Sequence, residues 1–198
     1  MTELEKETKL ECVTSIRSGY HFRSKIIHER QGAFQVIQMK NINQYNELDL
    51  RDVIRSNLEN SFSSRNLLRS HDILFQSRGG NNNFVLVPDG VENAVADYSL
   101  TVISVKSDKL SEVDPGYLVW YFNHPHTQHQ IDRYTEGSSI QRVSTRALKN
   151  LKIKLPSLAK QKRIAEVDRL SKREQQLLAS IAEKRQVYIA QSLKPEII

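Results

Sequence analysis

The stretch LKIKLPSLAKQKRIAEVDRLSKREQQLLASIAEKRQVYIAQSLK, Leu151–Lys194, changes its period partway along. Leu151, Ile153 and Leu155 alternate with Lys152 and Lys154, which is the pattern of a half-buried strand, and Pro156 ends it. From Ser157 there is no Gly, and no Pro before Pro195. Ala, Leu, Glu, Lys, Arg and Gln dominate, and these are strong helix formers. The stretch predicts one helix of about 35 residues, roughly 50 Å long at 1.5 Å per residue. That is too long to lie along a core made by the rest of the chain. Positions 164, 167, 171, 174, 178, 181, 185 and 188 step by three and four and hold Ile, Val, Ser, Glu, Leu, Ile, Arg and Tyr. Leu170 and Leu177 widen this seam on one side. Ile164, Val167, Leu170, Leu177, Leu178, Ile181 and Tyr188 are therefore expected to meet another helix as a coiled-coil arm. The plainer alternative is an amphipathic helix packed on its own domain.

Upstream of this stretch the chain reads as mixed α/β. Phe34–Ile42, Asp72–Gln76, Phe84–Val87 and Tyr98–Val105 are expected strands, rich in apolar and β-branched residues. Pro88-Asp89-Gly90 marks a turn, because Pro presets φ and Gly accepts positive φ. Asp114-Pro115 is a helix start, with Pro115, Leu118, Val119 and Phe122 as its buried stripe and Pro125 as its break. Ser144 is expected to cap a short helix ending near Lys149. The expected fold is α+β, with a mixed α/β globular domain at 1–156 and one long C-terminal helix at 157–198.

The chain of 198 residues carries a net charge of +6, and its cations are unevenly placed. Between Gly137 and Ala165 there are eight basic residues and no Asp or Glu. Such a tract attracts a polyanion, usually phosphate, although a solvated cationic face has the same composition. The single cysteine, Cys12, excludes an internal disulfide and a cysteine cage for metal, and fits a reduced cytoplasmic protein. The charged start MTELEKETKL predicts no secretion signal, and no apolar run is long enough to cross a bilayer.

The residues that enzymes acting on nucleic acid need are missing from the pattern. There is no glycine-rich phosphate loop, no Asn/Asp-Pro-Pro-aromatic motif and no spaced cluster of carboxylates with lysine. His124, His126 and His129 lack a nearby carboxylate or Cys to complete a metal site, and read as helix-end polar residues. No cofactor, metal or catalytic residue is expected. Three polar loops remain. One carries Lys40, Asn41 and Asn43, a second Gln76, Arg78, Asn81, Asn82 and Asn83, and a third Ser138, Ser139, Gln141 and Arg142. Arg can grip guanine through two bonds, and Asn or Gln can grip adenine likewise. Any one of these loops alone reads more readily as turn filler, and it is the three together with a basic tract that favour a nucleic-acid reader.

In order, the segments VIQMKNIN, LLRSHDILFQSRG, PDG, DYSLTVISVKSD, DPGYLVWYFNH and GSSIQRVSTRALKNLKIKLPSLAKQKRIAEVDRL resemble one half of the specificity subunit of type I restriction–modification systems. The likeness runs from about residue 12 to the end. It is most specific at Gly137, Leu148–Leu151, Leu155-Pro156, Gln161 and Ile164. The resemblance implies a recognition domain that reads half of a split double-stranded DNA target. The helix after it would space the domain from a second reader and dock the methyltransferase and restriction subunits, which hold the catalysis. A usual family member has two recognition domains and two helices, whereas this chain has one of each, as a natural half-subunit or a truncated product. Pairing with a copy of itself is then expected, giving two identical readers and an inverted-repeat target. Glu174 and Arg185 in the seam are candidates for cross-helix ion pairs. Two competing readings are a non-reading interaction module that pairs through its helix, and a nuclease in its own right.

Overall fold

A computed structural model describes residues 6–23, 25–58, 62–76, 82–136 and 142–193. In chain order the first elements are β1 (Lys6–Lys9), α1 (Leu10–Val13), β2 (Thr14–Ser18), β3 (Phe34–Ile37), β4 (Ile54–Ser56), β5 (Ile73–Gln76), β6 (Phe84–Leu86), β7 (Ala94–Ala96) and β8 (Leu100–Val105). There follow α2 (Pro115–Asn123), α3 (Pro125–Asp132), β9 (Thr135–Glu136), β10 (Arg142–Val143), α4 (Thr145–Asn150), β11 (Lys152–Leu155) and α5 (Leu158–Leu193). The fold is α+β with one long C-terminal helix. By internal contacts the chain divides into Met1–Ala165 and Glu166–Ile198, so α5 runs through the division.

A four-stranded antiparallel sheet, ordered β2-β8-β5-β6, forms a wall between two cores. All four residues of β5 are buried, and so are the first four of β8. Alternation along a strand sends neighbouring side chains to opposite faces. Ile73, Phe75 and Ile103 thus join α2, α3, α4 and β11 in one core, while Leu74, Leu100 and Val102 join β3 and β7 in the other. On the first face Phe75 stacks on Phe84 at 4.3 Å, and Phe84 meets Phe122 at 4.6 Å. On the second, a three-stranded sheet β4-β3-β7 contributes Ile37, Ala94 and Ala96, with β3 parallel to β7. Arg17 reaches across this side to the Leu67 carbonyl at 3.0 Å and lies 4.0 Å from Asp72. Burial pushes its pKa down, and the Asp72 charge opposes that shift.

Near the two ends of the first unit, β1 and β11 pair antiparallel, with Lys6 opposite Leu155 and Lys9 opposite Lys152. Helix starts follow the caps: the Asp114 carboxylate accepts from the Tyr117 amide at 2.8 Å, and the Ser144 hydroxyl from that of Ala147 at 3.2 Å. Pro125 starts a new helix, and His124 Nδ1 accepts from the His126 amide. The buried stripe of α2 uses Tyr117 where Pro115 was expected, since the Tyr117 hydroxyl donates to the Lys154 carbonyl at 2.7 Å. The strand expected over Phe34–Ile42 stops at Ile37. Beyond it the Gln38 and Asn41 side chains each bond the other's backbone around a 3-10 turn, Met39–Asn41.

The first turns of α5 are fixed by Gln161, which is wholly buried. Its Oε1 accepts from the Asp114 amide at 3.0 Å, and its Nε2 donates to the carbonyls of Glu112 (2.9 Å) and Pro156 (2.8 Å). Ile164 also differs from its expected role in an intermolecular seam: it packs against the domain's own core. The exposed apolar residues begin at Val167 and continue through Leu170, Leu177, Leu178, Ile181 and Tyr188. Within this second unit the polar faces are braced by Glu166–Arg169 at 2.6 Å and Asp168–Lys172 at 2.6 Å. Among the described residues no helix is long and apolar enough to cross a membrane.

Candidate nucleic-acid interface

Strand register brings the first two polar loops to one end of the wall. Ser18 ends β2 opposite Thr101, Gln76 ends β5 opposite Leu100, and Phe84 starts β6 opposite Phe75. The second sheet meets the same end. Ile37 and Ala96 close β3 and β7, and the Asp97 amide donates to the Ile37 carbonyl at 2.9 Å. Gly19 closes the gap between the sheets, where a Cβ would stand 1.9 Å from the Asp97 carbonyl oxygen. The connections 19–33, 38–53, 77–83 and 97–99 therefore all leave from this end.

The base of the second loop is held by side chains from α2 and α3. The Gln76 amide donates to the Asn83 carbonyl at 3.0 Å, closing the hairpin. Asn123 treats β6 as a strand would, accepting from the Phe84 amide (3.0 Å) and donating to its carbonyl (2.7 Å). Gln128 donates to the carbonyls of Asn82 (2.9 Å) and Phe122 (2.7 Å). Asn82 Nδ2 donates to the Asp132 carboxylate at 3.0 Å. Asp132 ends α3, three residues before the hairpin β9–β10, so one hydrogen bond ties the roots of the second and third loops together.

The residues expected to read bases separate by burial. Asn41 is buried: its Oδ1 accepts from the Gln38 amide (2.9 Å) and its Nδ2 donates to the Asp49 carbonyl (3.3 Å). Asn43 is half-buried and holds a turn, accepting from the amides of Tyr45 (2.9 Å) and Glu47 (3.1 Å). Gln76 and Asn82 are buried, and Asn83 is half-buried. Lys40 is exposed. Arg78, Asn81, Ser138, Ser139 and Gln141 lie outside the described residues, and of Arg142 only the backbone start of β10 is described.

Loop 19–33 adds a further set of basic and imidazole side chains to this end. His21, Arg23, Lys25, His28 and Arg30 are exposed on it. Its foot is packed by Tyr20 against Phe22 (4.8 Å) and Phe62 (5.7 Å). Its return arm is latched to β4, with Asn57 Nδ2 donating to the Glu29 carboxylate at 2.6 Å. A signal was present: no Asp or Glu stands between Glu11 and Glu29. Nearby, Arg51 bonds the Asp49 carboxylate and holds its pKa down at about 2.

The basic tract falls elsewhere in the unit. Lys152 and Lys154 occupy the exposed face of β11, Arg146 and Lys149 lie on α4, and Lys160, Lys162 and Arg163 lie on the first turns of α5. Among the described residues no three His, Cys, Asp or Glu are grouped so as to hold a metal.

Comparison with known proteins agrees with this architecture. The sequence pattern of the type I restriction modification DNA specificity domain matches residues 4–184. The fold is similar to a type I restriction-modification S subunit from M. genitalium, with a TM-score of 0.62 at 17% identity over 93% of this chain and 43% of that one. It is similar to a chain from work on complex assembly and conformational transition of the type I R-M system (TM-score 0.63, 16% identity, 96% of this chain, 43% of that). It also resembles the HsdS subunit from Thermoanaerobacter tengcongensis (TM-score 0.60, 15% identity, 93% and 40%). The chain thus spans about two fifths of the length of these solved chains. No curated protein sequence matches significantly. A match over most of the chain, on a fold in which one sheet divides two cores, places it in a family: the chain belongs to the type I restriction modification DNA specificity domain family.

Proposed function

We propose that the chain is a sequence-specific DNA-binding subunit that directs type I methyltransferase and restriction subunits to a split target. The observation that supports this most is the convergence of four connections on one end of the sheet. Polar groups on a rigid scaffold can be held in the register that reading base edges demands. Exposed Lys40, Arg23 and Lys25 suit phosphate contacts, which position a protein without reading sequence. Base reading is assigned to the second and third loops, with Arg78 and Arg142 as the bidentate candidates. Buried Asn41, Gln76 and Asn82 would support those loops rather than touch bases. Residues 1–156 would be the reader and 157–198 the spacer.

The exposed apolar positions Val167, Leu170, Leu177, Leu178, Ile181 and Tyr188 favour a homodimer through the helix. Five large aliphatic side chains and a tyrosine on one segment form more apolar surface than isolated exposed residues do. An antiparallel pair would set two readers on an inverted repeat with an unspecified spacer. Catalysis would rest with the partner subunits in the cytoplasm.

Selection from random duplex DNA, followed by binding across a salt series, tests the reading. An enriched inverted repeat with affinity falling steeply as salt rises is the expected result. Salt-insensitive, negligible DNA affinity with retained binding to a methyltransferase subunit would favour the interaction module instead. Metal-dependent cutting by the purified chain would favour the nuclease.

A further inference from the structure

Tyr98 stands at the middle of the end from which the four connections leave. Its turn, 97–99, feeds β8, and β8 lies between β2 and β5 in the sheet. Connection 19–33 leaves β2 on one side of it, and connection 77–83 leaves β5 on the other. The tyrosine is 46% exposed. A second ring accompanies it: the imidazole of exposed His21 lies 5.3 Å away, tilted by 39°. The turn beneath the two rings is tightly held. Asp97 is buried, and its carboxylate accepts from the Ser99 amide at 2.9 Å, from the Ser99 hydroxyl and from Gln38 Nε2 at 3.3 Å. The Tyr20 amide donates to the Ala96 carbonyl at 2.7 Å, and the Gly19 amide to the Leu100 carbonyl at 2.9 Å. The backbone leading to His21 is therefore tied to both flanks of the tyrosine's turn.

Asn, Gln and Arg read hydrogen-bond patterns on base edges, whereas an aromatic ring offers a π face on which any base can stack. Tyrosine also presents a large contact area for the ordering of only two torsions. We propose that Tyr98, backed by His21, is a stacking contact for a base of the DNA target that leaves its own stack when the protein binds. This inference rests on the DNA-reading function proposed above and adds to it a deformation of the duplex. A base inside a regular duplex has both faces covered by its neighbours. Contact with the ring requires the step at this point to open, and the new stack offsets part of the cost of unstacking. The step facing Tyr98 is then selected by deformability, which favours TA and CA/TG, each with an adenine on one strand or both.

The probe is a duplex enriched by selection from random DNA, with 2-aminopurine at each adenine in turn, whose emission rises when it leaves the stack. The parent chain should raise the emission at one position. Tyr98→Ala and Tyr98→Leu should abolish the rise and weaken binding to the selected duplex by roughly 5- to 150-fold, as loss of a base stack does. Non-specific binding and circular dichroism should stay as in the parent. Tyr98→Phe should keep both the rise and the affinity. A parent that raises no emission at any adenine, or a Tyr98→Ala chain bound as tightly as the parent, would overturn this inference alone. So would full affinity in Tyr98→Leu, which marks an apolar groove contact, or lost affinity in Tyr98→Phe, which marks a hydroxyl contact. A parent that enriches no duplex at all overturns the inference one step earlier, together with the DNA-reading function.

Discussion

Gln161 and Leu178 stand on the same helix, and their burial inverts their polarity. The polar residue is wholly buried and the leucine is 60% exposed. Gln161 has three backbone partners that reach it from two other segments, so burial leaves those groups satisfied. Leu178 has no such neighbours in its own unit, and its apolar surface stays in water. Burial therefore follows the supply of partners, and the second half of α5 leaves its apolar positions exposed.

The largest effect is expected at the buried end of that comparison. Gln161→Leu strips partners from the Asp114 amide and two carbonyls, and should destabilise the first unit by about 3–5 kcal/mol, at roughly 1–3 kcal/mol per unsatisfied group. Urea unfolding measures this, and a loss under about 1 kcal/mol would break the contrast with Leu178. At the exposed end, Ile181→Asp with Tyr188→Asp should leave the melting temperature of the unit unchanged. Light scattering should fall from about twice 22.9 kDa to a monomer of 22.9 kDa. A persisting dimer would remove this seam from the interface.

Two further changes compare the loop roots with the loop surfaces. Asn123→Ala frees both backbone groups of Phe84, and should cost about 2–4 kcal/mol of stability, at roughly 1–3 kcal/mol per unsatisfied group. Affinity for a selected DNA site should fall with it, while non-specific binding persists; equal loss of both would deny the root its role in reading. Arg23→Ala and Lys25→Ala should leave stability within about 0.5 kcal/mol, as surface changes do. Each should lower the slope of log affinity against log salt by about one if it meets a phosphate.

The smallest effect concerns Asp49. Its folded pKa lies below the ordinary carboxylate value, so the Arg51 pair contributes above that value and is lost as pH falls through about 2. The stability difference between parent and Asp49→Asn should therefore be flat from about pH 5 to about pH 9, and should shrink below about pH 4. A difference that changes near neutral pH would point to a group other than this pair.

Long elements and caps were legible from residue type. Local signals suffice there, because the Asp114-Pro115 start, the Ser144 cap, the alternating strand before Pro156 and the helix after it each depend on neighbours a few residues away. Short strands were not legible. Lys6–Lys9 becomes a strand only by pairing with Lys152–Leu155, and Ala94–Ala96 only beside β3. In the candidate site, residue type suggested the Asn- and Gln-rich loops but could not separate Asn41 and Asn82, which hold structure, from Lys40, which faces water. The cations of loop 19–33 carried a charge signal without a hydrogen-bonding motif, and so escaped a reading that looked for Asn, Gln and Arg together.

By itself the sequence determined the family, the α+β class, the long helix and its apolar seam. Each of these is written in periodicity, local caps or a spaced set of residues that tolerates little shift. Tertiary structure alone decided that one sheet divides two cores, that four connections share one end of it, and that Gln161 is buried while Leu170, Leu177 and Leu178 are exposed. Those outcomes depend on strand register and on hydrogen bonds between residues 39 to 50 positions apart, as in Asn123 with Phe84 and Asn82 with Asp132. A linear pattern does not carry that information, because the same asparagine satisfies a turn, a strand edge or a base equally well until its neighbours are fixed.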